Sequence, residues 1–186
     1  EIIYTYLEAH TNDCRDVSLD YKLSSGLSKL PSASSRAKFF PGISPIMGRD
    51  ITLPKTSCGA FQSTNLDYIL RNLNIEQLVV CGQLTDQCVL SAVRDAADLG
   101  YLVSVVSDAC GAESEESQKR GICGMKGFAR IVNTEQVLNE ICDDNKDSIT
   151  PNTMNRDEDK SATKAIKTEV SSASSDTRSH NTTISI

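Results

Sequence analysis

An α/β fold, a parallel β-sheet with helices over both faces, is what this sequence predicts. From Glu1 to Ile141, short apolar, β-branched runs alternate with stretches whose apolar residues recur at helical spacing, the order of elements found in parallel sheets. Runs such as Gln77–Cys81 and Tyr101–Ser107 read as buried strands. The chain has 186 residues, 39% of them hydrophobic, which is enough for one domain with its own core.

In chain order, Glu1–Glu8 reads as a strand in which Ile3, Thr5 and Leu7 alternate with Ile2, Tyr4 and Tyr6. It opens at once and without Met, so a longer protein is expected to precede it. His10–Asp20 is polar and reads as loop. Ser24–Pro45, rich in Ser, Gly and Pro, reads as an irregular surface excursion of the length typical of lids or insertions. Asp50–Pro54 is the next strand. Thr64–Leu73 follows as a helix with Thr64 as N-cap, Leu66, Ile69, Leu70 and Leu73 inward, and Asn74 as its stop. Gln77–Cys81 is a strand and Gly82–Gln87 a tight turn, after which Val89, Ala92, Val93 and Ala96 mark a helix closed by Gly100. Tyr101–Ser107 is a strand. Ser114–Met125 is a helix weakened by Gly121 and Gly124, Ala129–Asn133 a last short strand, and Thr134–Ile141 a helix capped by Thr134. The domain is therefore placed at residues 1–143. Residues 144–186 read as a disordered tail, since 145–186 holds 15 Ser or Thr in 42 residues and no aromatic. Deleting that tail is expected to leave the melting temperature unchanged.

Composition excludes several functions. A net charge of −6 with no basic stripe argues against nucleic acid, and no apolar run reaches the roughly 18 to 20 residues of a membrane span. The seven scattered cysteines and the absence of a leader point to a reducing, cytoplasmic setting with free thiols.

The chain is organised around Gln77–Asp95, a strand, turn and helix with Cys88 at the helix start. A thiol there faces unpaired backbone N–H groups and the positive end of the helix dipole, which favour the thiolate. The alternative is a small buried hydrophobe. Lys55, directly after a strand and Pro54, either points a cation into the same crevice, favouring the thiolate and polarising a bound carbonyl, or is a solvated surface residue.

The run VVCGQLTDQCVLSAVRDAADLGYLVSVVSDAC, Val79 to Cys110, preceded by LPKTSCGAFQSTNLDYILRNL, Leu53 to Leu73, resembles the isochorismatase-like cysteine hydrolases, a superfamily that includes nicotinamidases. The resemblance covers Glu1 to Ile141. It implies a three-layer, Rossmann-like arrangement around a six-stranded parallel sheet, a Cys–Asp–Lys triad and, in the amidases, a thioester. Cys88 matches the nucleophile and Lys55 the triad lysine. It further implies an oxyanion hole at the backbone N–H groups of Leu84 and Cys88, with a cis peptide at Gln83-Leu84 that turns an amide toward the developing charge. Thr85 and Asp86 are expected to hold the turn, and Arg94 and Asp95 to form structural ion pairs.

Three departures bear on function. The family's aspartate ends a first strand that would lie before Glu1, central between the first and third strands of this chain, so both the base and a core element are expected to be missing and a gap to stand in the sheet. Asp13 and Asp16 are weak substitutes on another loop. His10 has no partner but His180 in the tail, so no metal and no cofactor is expected. The expected partner is a small-molecule substrate, with a homo-oligomer left open and neither nucleic acid nor membrane involved. Two functions follow: a hydrolase of an amide or vinyl ether, or a degenerate member that binds or assembles. The Ser18–Lys22 stretch offers substrate-facing side chains.

Overall fold

Six parallel strands, β1 (Ile2–Leu7), β2 (Ile51–Lys55), β3 (Ile75–Gln83), β4 (Leu102–Gly111), β5 (Arg130–Val132) and β6 (His180–Ser185), form one sheet in the order β2-β1-β6-β3-β4-β5. The structure is a computed structural model that describes residues 1–23, 38–147 and 180–185, with the backbone alone for 143–147 and 180–185. Most of the Ser24–Pro45 excursion lies outside the described residues; of its end, Pro41–Ile43 forms a single 3₁₀ turn.

The expected gap in the sheet is not there. Residues 180–185, read from composition as part of a disordered tail, run between β1 and β3, parallel to both. Thr183 stands opposite Ile2 on one side and Val79 on the other, and Ile184 opposite Ile3 and Val80. Without them β1 and β3 would each bury a row of unpaired N–H and C=O groups, which costs more than ordering six residues. The segment's Thr and Ile are good strand formers, and a central strand is held by its backbone ladders as much as by side chains. Residues 148–179 of the expected tail lie outside the described residues.

The helices are α1 (Leu19–Leu23), α2 (Ala60–Ser63), α3 (Leu66–Asn72), α4 (Leu90–Asp98), α5 (Glu115–Met125) and α6 (Thr134–Asp147). The expected Thr64–Leu73 helix is found as the shorter α3, and α2 is a further turn ahead of it. Thr64 joins them, its hydroxyl donating to Ala60 O at 2.7 Å and accepting from Leu66 N–H at 3.1 Å. Asn74, at φ 53°, turns the chain out of α3. Ser114 caps α5 by accepting from Ser117 N–H. At α6 the cap is Asn133 rather than Thr134. Asn133 and Gln136 exchange backbone-to-side-chain bonds of 2.9 and 2.8 Å in a capping box, while Thr134 donates to Asp108.

Both faces of the sheet are covered. On one, Leu66 and Leu70 of α3, Val93 and Ala96 of α4 and Met125 of α5 pack on Ile3, Leu78, Val80, Val103 and Val105. On the other, Val137 and Ile141 of α6 meet Val79, Cys81, Val106 and Val132. Alternate residues of β3 thus serve opposite cores, which is why the strand reads as continuously apolar. No helix of the described residues is long and apolar enough to cross a membrane.

Candidate active site

The carboxyl ends of β1, β2 and β3 meet where a parallel sheet places its ligands. Lys55, the last residue of β2, stands beside Leu7 of β1 and is only 1% exposed, so it is not a surface lysine. Its Nζ donates to Ser57 O at 3.0 Å, Cys58 O at 3.2 Å and Cys88 Sγ at 3.2 Å. A buried ammonium costs several kcal/mol unless a negative charge lies close. Among the described residues no carboxylate pairs with Lys55, and the sulfur of Cys88 is the group that can carry the opposing charge.

Cys88 sits in a turn of π-helix, Thr85–Val89, that leads into α4; Val89 N–H reaches back to Leu84 O at 3.2 Å. The Gln83-Leu84 peptide is cis. Cys88 is buried, yet its thiol is pulled down from 9.0 to about 5. A hydrogen bond from the Cys58 thiol is the largest cause. Burial opposes it, and the Lys55 charge, the Lys55 hydrogen bond and the Leu84 N–H add to it. The reading of Cys88 as a small buried hydrophobe therefore does not describe its surroundings. Burial instead pushes Cys81 up, and Cys110 to about 11.

The turn is clamped by α5. Thr85, fully buried, donates to Gln118 Oε1 at 2.6 Å, and Gln118 Nε2 donates to Ser107 O and Cys110 O of β4. Arg120 pairs with Asp86 at 2.7 Å. Gly121 lets the helix approach: a Cβ there would lie 2.8 Å from Asp86 N and Thr85 C. Sequence reading took this glycine as evidence against the helix, because helix propensity is local and the partner backbone is about 35 residues away.

Other expected residues go elsewhere. Asp16 accepts from His10 N–H, Thr11 N–H and the Thr11 hydroxyl. Burial raises its pKa, but these bonds outweigh it and bring the carboxyl down to about 2. Asp13 bonds Arg15. Both carboxylates organise their own loop and bond neither Cys88 nor Lys55. Arg94 stacks on Phe128 and donates to Gly124 O, while Asp95 Oδ2 is buried without a hydrogen-bond partner among the described residues, so neither makes an expected ion pair there. Among the described residues no three His, Cys, Asp or Glu side chains gather as metal ligands would. One site residue escaped sequence reading, Cys58, three positions after Lys55; Tyr21 of α1, within the Ser18–Lys22 stretch, has its hydroxyl 3.4 Å from Cys58 Sγ. A cleft of about 650 Å³ near the amino ends of β3 and β4, lined by Leu102 and Phe128 among others, holds none of these groups.

A three-layer α/β sheet with an activated thiol beside a buried lysine defines the class of this protein. The chain belongs to the isochorismatase family, whose domain matches residues 10–136. It is 36% identical over 93 residues to the uncharacterized isochorismatase family protein YecD of Escherichia coli O157:H7, covering 50% of each chain. It is 48% identical over 52 residues to the nicotinamidase of Escherichia coli, covering 28% of this chain and 24% of that one. In structure it resembles an isochorismatase family protein from Desulfovibrio vulgaris with a TM-score of 0.63 and 26% identity, over 74% of each chain. The chain spans about half the length of YecD and about a quarter of the length of the nicotinamidase.

Proposed function

We propose that the protein hydrolyses a small metabolite at an amide bond, with Cys88 as nucleophile. The observation that carries this reading is the contact of Lys55 Nζ with Cys88 Sγ at 3.2 Å, inside a site where the thiol is shifted well below its ordinary range. The sulfur attacks the carbonyl carbon, and the oxygen becomes negative against the N–H groups of Leu84 and Cys88. Collapse forms a thioester and expels the amine. Lys55 Nζ, beside the sulfur, is placed to hand the leaving nitrogen a proton and to take one from the water that attacks the thioester. The nicotinamidase relative supports nicotinamide as a first substrate. A vinyl ether of the isochorismate type is the other candidate, and its hydrolysis does not require attack by a thiol.

A second reading, a degenerate member that binds or assembles without turnover, has its own observation. β6 occupies the central place in the sheet where the family's aspartate-bearing strand is expected, and its sequence, HNTTIS, contains no acid. Rates on nicotinamide and isochorismate for the wild type, Cys88→Ala and Lys55→Met separate the two. The hydrolase reading expects nicotinamide turnover that falls ~10²-fold or more in both variants, with a thioester trapped by mass spectrometry. Turnover retained in Cys88→Ala would refute the nucleophile. Saturable binding with no turnover would favour the second reading.

A further inference from the structure

Gln118 of α5 ties the turn that carries Cys88 to an irregular part of the sheet. Its Oε1 accepts from the Thr85 hydroxyl at 2.6 Å, and its Nε2 donates to Ser107 O at 3.3 Å and Cys110 O at 3.1 Å. The orientation of the amide has one solution. Backbone carbonyls only accept, so the NH2 group must face β4 and the amide oxygen must face Thr85, whose hydroxyl is then the donor. Thr85 is fully buried, so a lost bond leaves its hydroxyl unsatisfied. Between the pairs Val80–Val105 and Gly82–Cys110 the register of β3 on β4 shifts, and β4 carries the extra residues. Ser107 lies within that extra length and Cys110 closes it. Ser107 Oγ donates to Val132 O of β5 at 2.9 Å, and Asp108 accepts from the N–H and hydroxyl of Thr134 at the start of α6. The bulge of β4 is thus fixed from β5 and α6, and Gln118 carries that fixed point to Thr85. Thr85 follows Leu84 and opens the π-helical turn in which Cys88 sits.

We propose that Gln118 is a positioning residue: its carboxamide holds Thr85 against the β4 bulge and so sets the direction of the Leu84 N–H and of the Cys88 sulfur. The role given to the Leu84 N–H rests on the hydrolytic reading above; the hold on Cys88 does not. The bonds of the amide carry the effect, not its bulk. Gln118→Met keeps the length of the side chain and loses all three bonds. Thr85→Val keeps the shape of the residue and loses the hydroxyl, whereas Thr85→Ser keeps the hydroxyl. In each of them the Arg120–Asp86 pair and the close approach of Gly121 to the turn remain, so α5 stays in place while Thr85 loses or keeps its tether.

The experiment follows iodoacetamide labelling of Cys88 in the full chain from about pH 4 to 9, together with kcat and KM on nicotinamide. The midpoint of the labelling profile reports the groups that face the sulfur, whereas exposure changes only its plateau. Gln118→Met and Thr85→Val should each move the midpoint up by ~1 pH unit and lower kcat ~10-fold with KM unchanged. The double variant should lose no more than either single one, because the two side chains act through one bond. Thr85→Ser should recover most of the loss. Residues that only stabilise the fold would lower the melting temperature and leave the midpoint where it stands. An unmoved midpoint in both single variants, additive losses in the double variant, or a Thr85→Ser that behaves as Thr85→Val would overturn the proposal. If Gln118→Met does not fold, the two Thr85 variants decide. A wild type without turnover on nicotinamide would refute that substrate, and the labelling profiles would still decide whether Gln118 positions Cys88.

Discussion

Replacing Gly121 by Ala tests how the site is held. The new methyl would lie 2.8 Å from Asp86 N and from Thr85 C, and 2.9 Å from Asp86 Cα. Ordinary carbon contacts begin at ~3.5 Å, so the turn and α5 must separate by roughly 0.7 Å. The atoms met are backbone, which cannot swing aside as a side-chain end would. Overpacking of this kind costs ~1–3 kcal/mol, against a gain of about 1 kcal/mol from Ala over Gly inside a helix. The net loss, roughly 0 to 2 kcal/mol, corresponds to a drop of up to ~8 °C in melting temperature for a chain of this size. The displaced turn carries Cys88 and the Leu84 N–H, so labelling of Cys88 by iodoacetamide at pH 7 should slow by ~10-fold. Gly124→Ala is the control on the same helix. Its methyl would meet the tip of the Leu90 side chain at 3.3 Å, which can shift, so the propensity gain should survive and the melting temperature should hold or rise. Equal melting temperatures for the two variants, with Cys88 labelling unchanged, would refute the argument that Gly121 sets the approach of α5 to the turn.

Two further expectations concern the thiol and the sheet. Thiolate fraction controls alkylation, and the Cys88 thiol is lowered from 9.0 to about 5; its labelling rate should climb between about pH 4 and 6 and then level, whereas that of Cys110, raised to about 11, should still gain ~10-fold per unit at pH 9. A Cys88 profile that rises steadily to pH 9 would mean that Lys55 and Cys58 do not stabilise the anion. Thr183→Pro removes a backbone N–H from the centre of β6, opposite Ile2 and Val79, and should cost about 3 kcal/mol and lower the melting temperature by ~6–12 °C. An unchanged melting curve would show that residues 180–185 do not hold the sheet.

Much of this protein was legible in its sequence. Period and punctuation placed β1 to β5 and most of the helices, because those signals are local: Asn74 ends a helix through its own backbone, and Val79 and Val80 face opposite cores wherever they stand in the sheet. The motif around Cys88 and the lysine after Pro54 could be singled out for the same reason, since a strand's end and the turn after it are read from neighbouring residues. Tertiary structure alone decided the rest. The polar composition of HNTTIS says nothing of two unpaired strands more than 100 residues away, yet their unsatisfied ladders are what give the segment its place between β1 and β3. Likewise Gly121 acts through a backbone on another element, and the Tyr21 hydroxyl meets Cys58 because the fold brings α1 beside the segment after β2. Propensity and pattern report what a residue does to its own stretch of chain. Hydrogen-bond satisfaction, close approach and charge pairing depend on what the fold brings beside it, and those set the protonation of the thiol at this site.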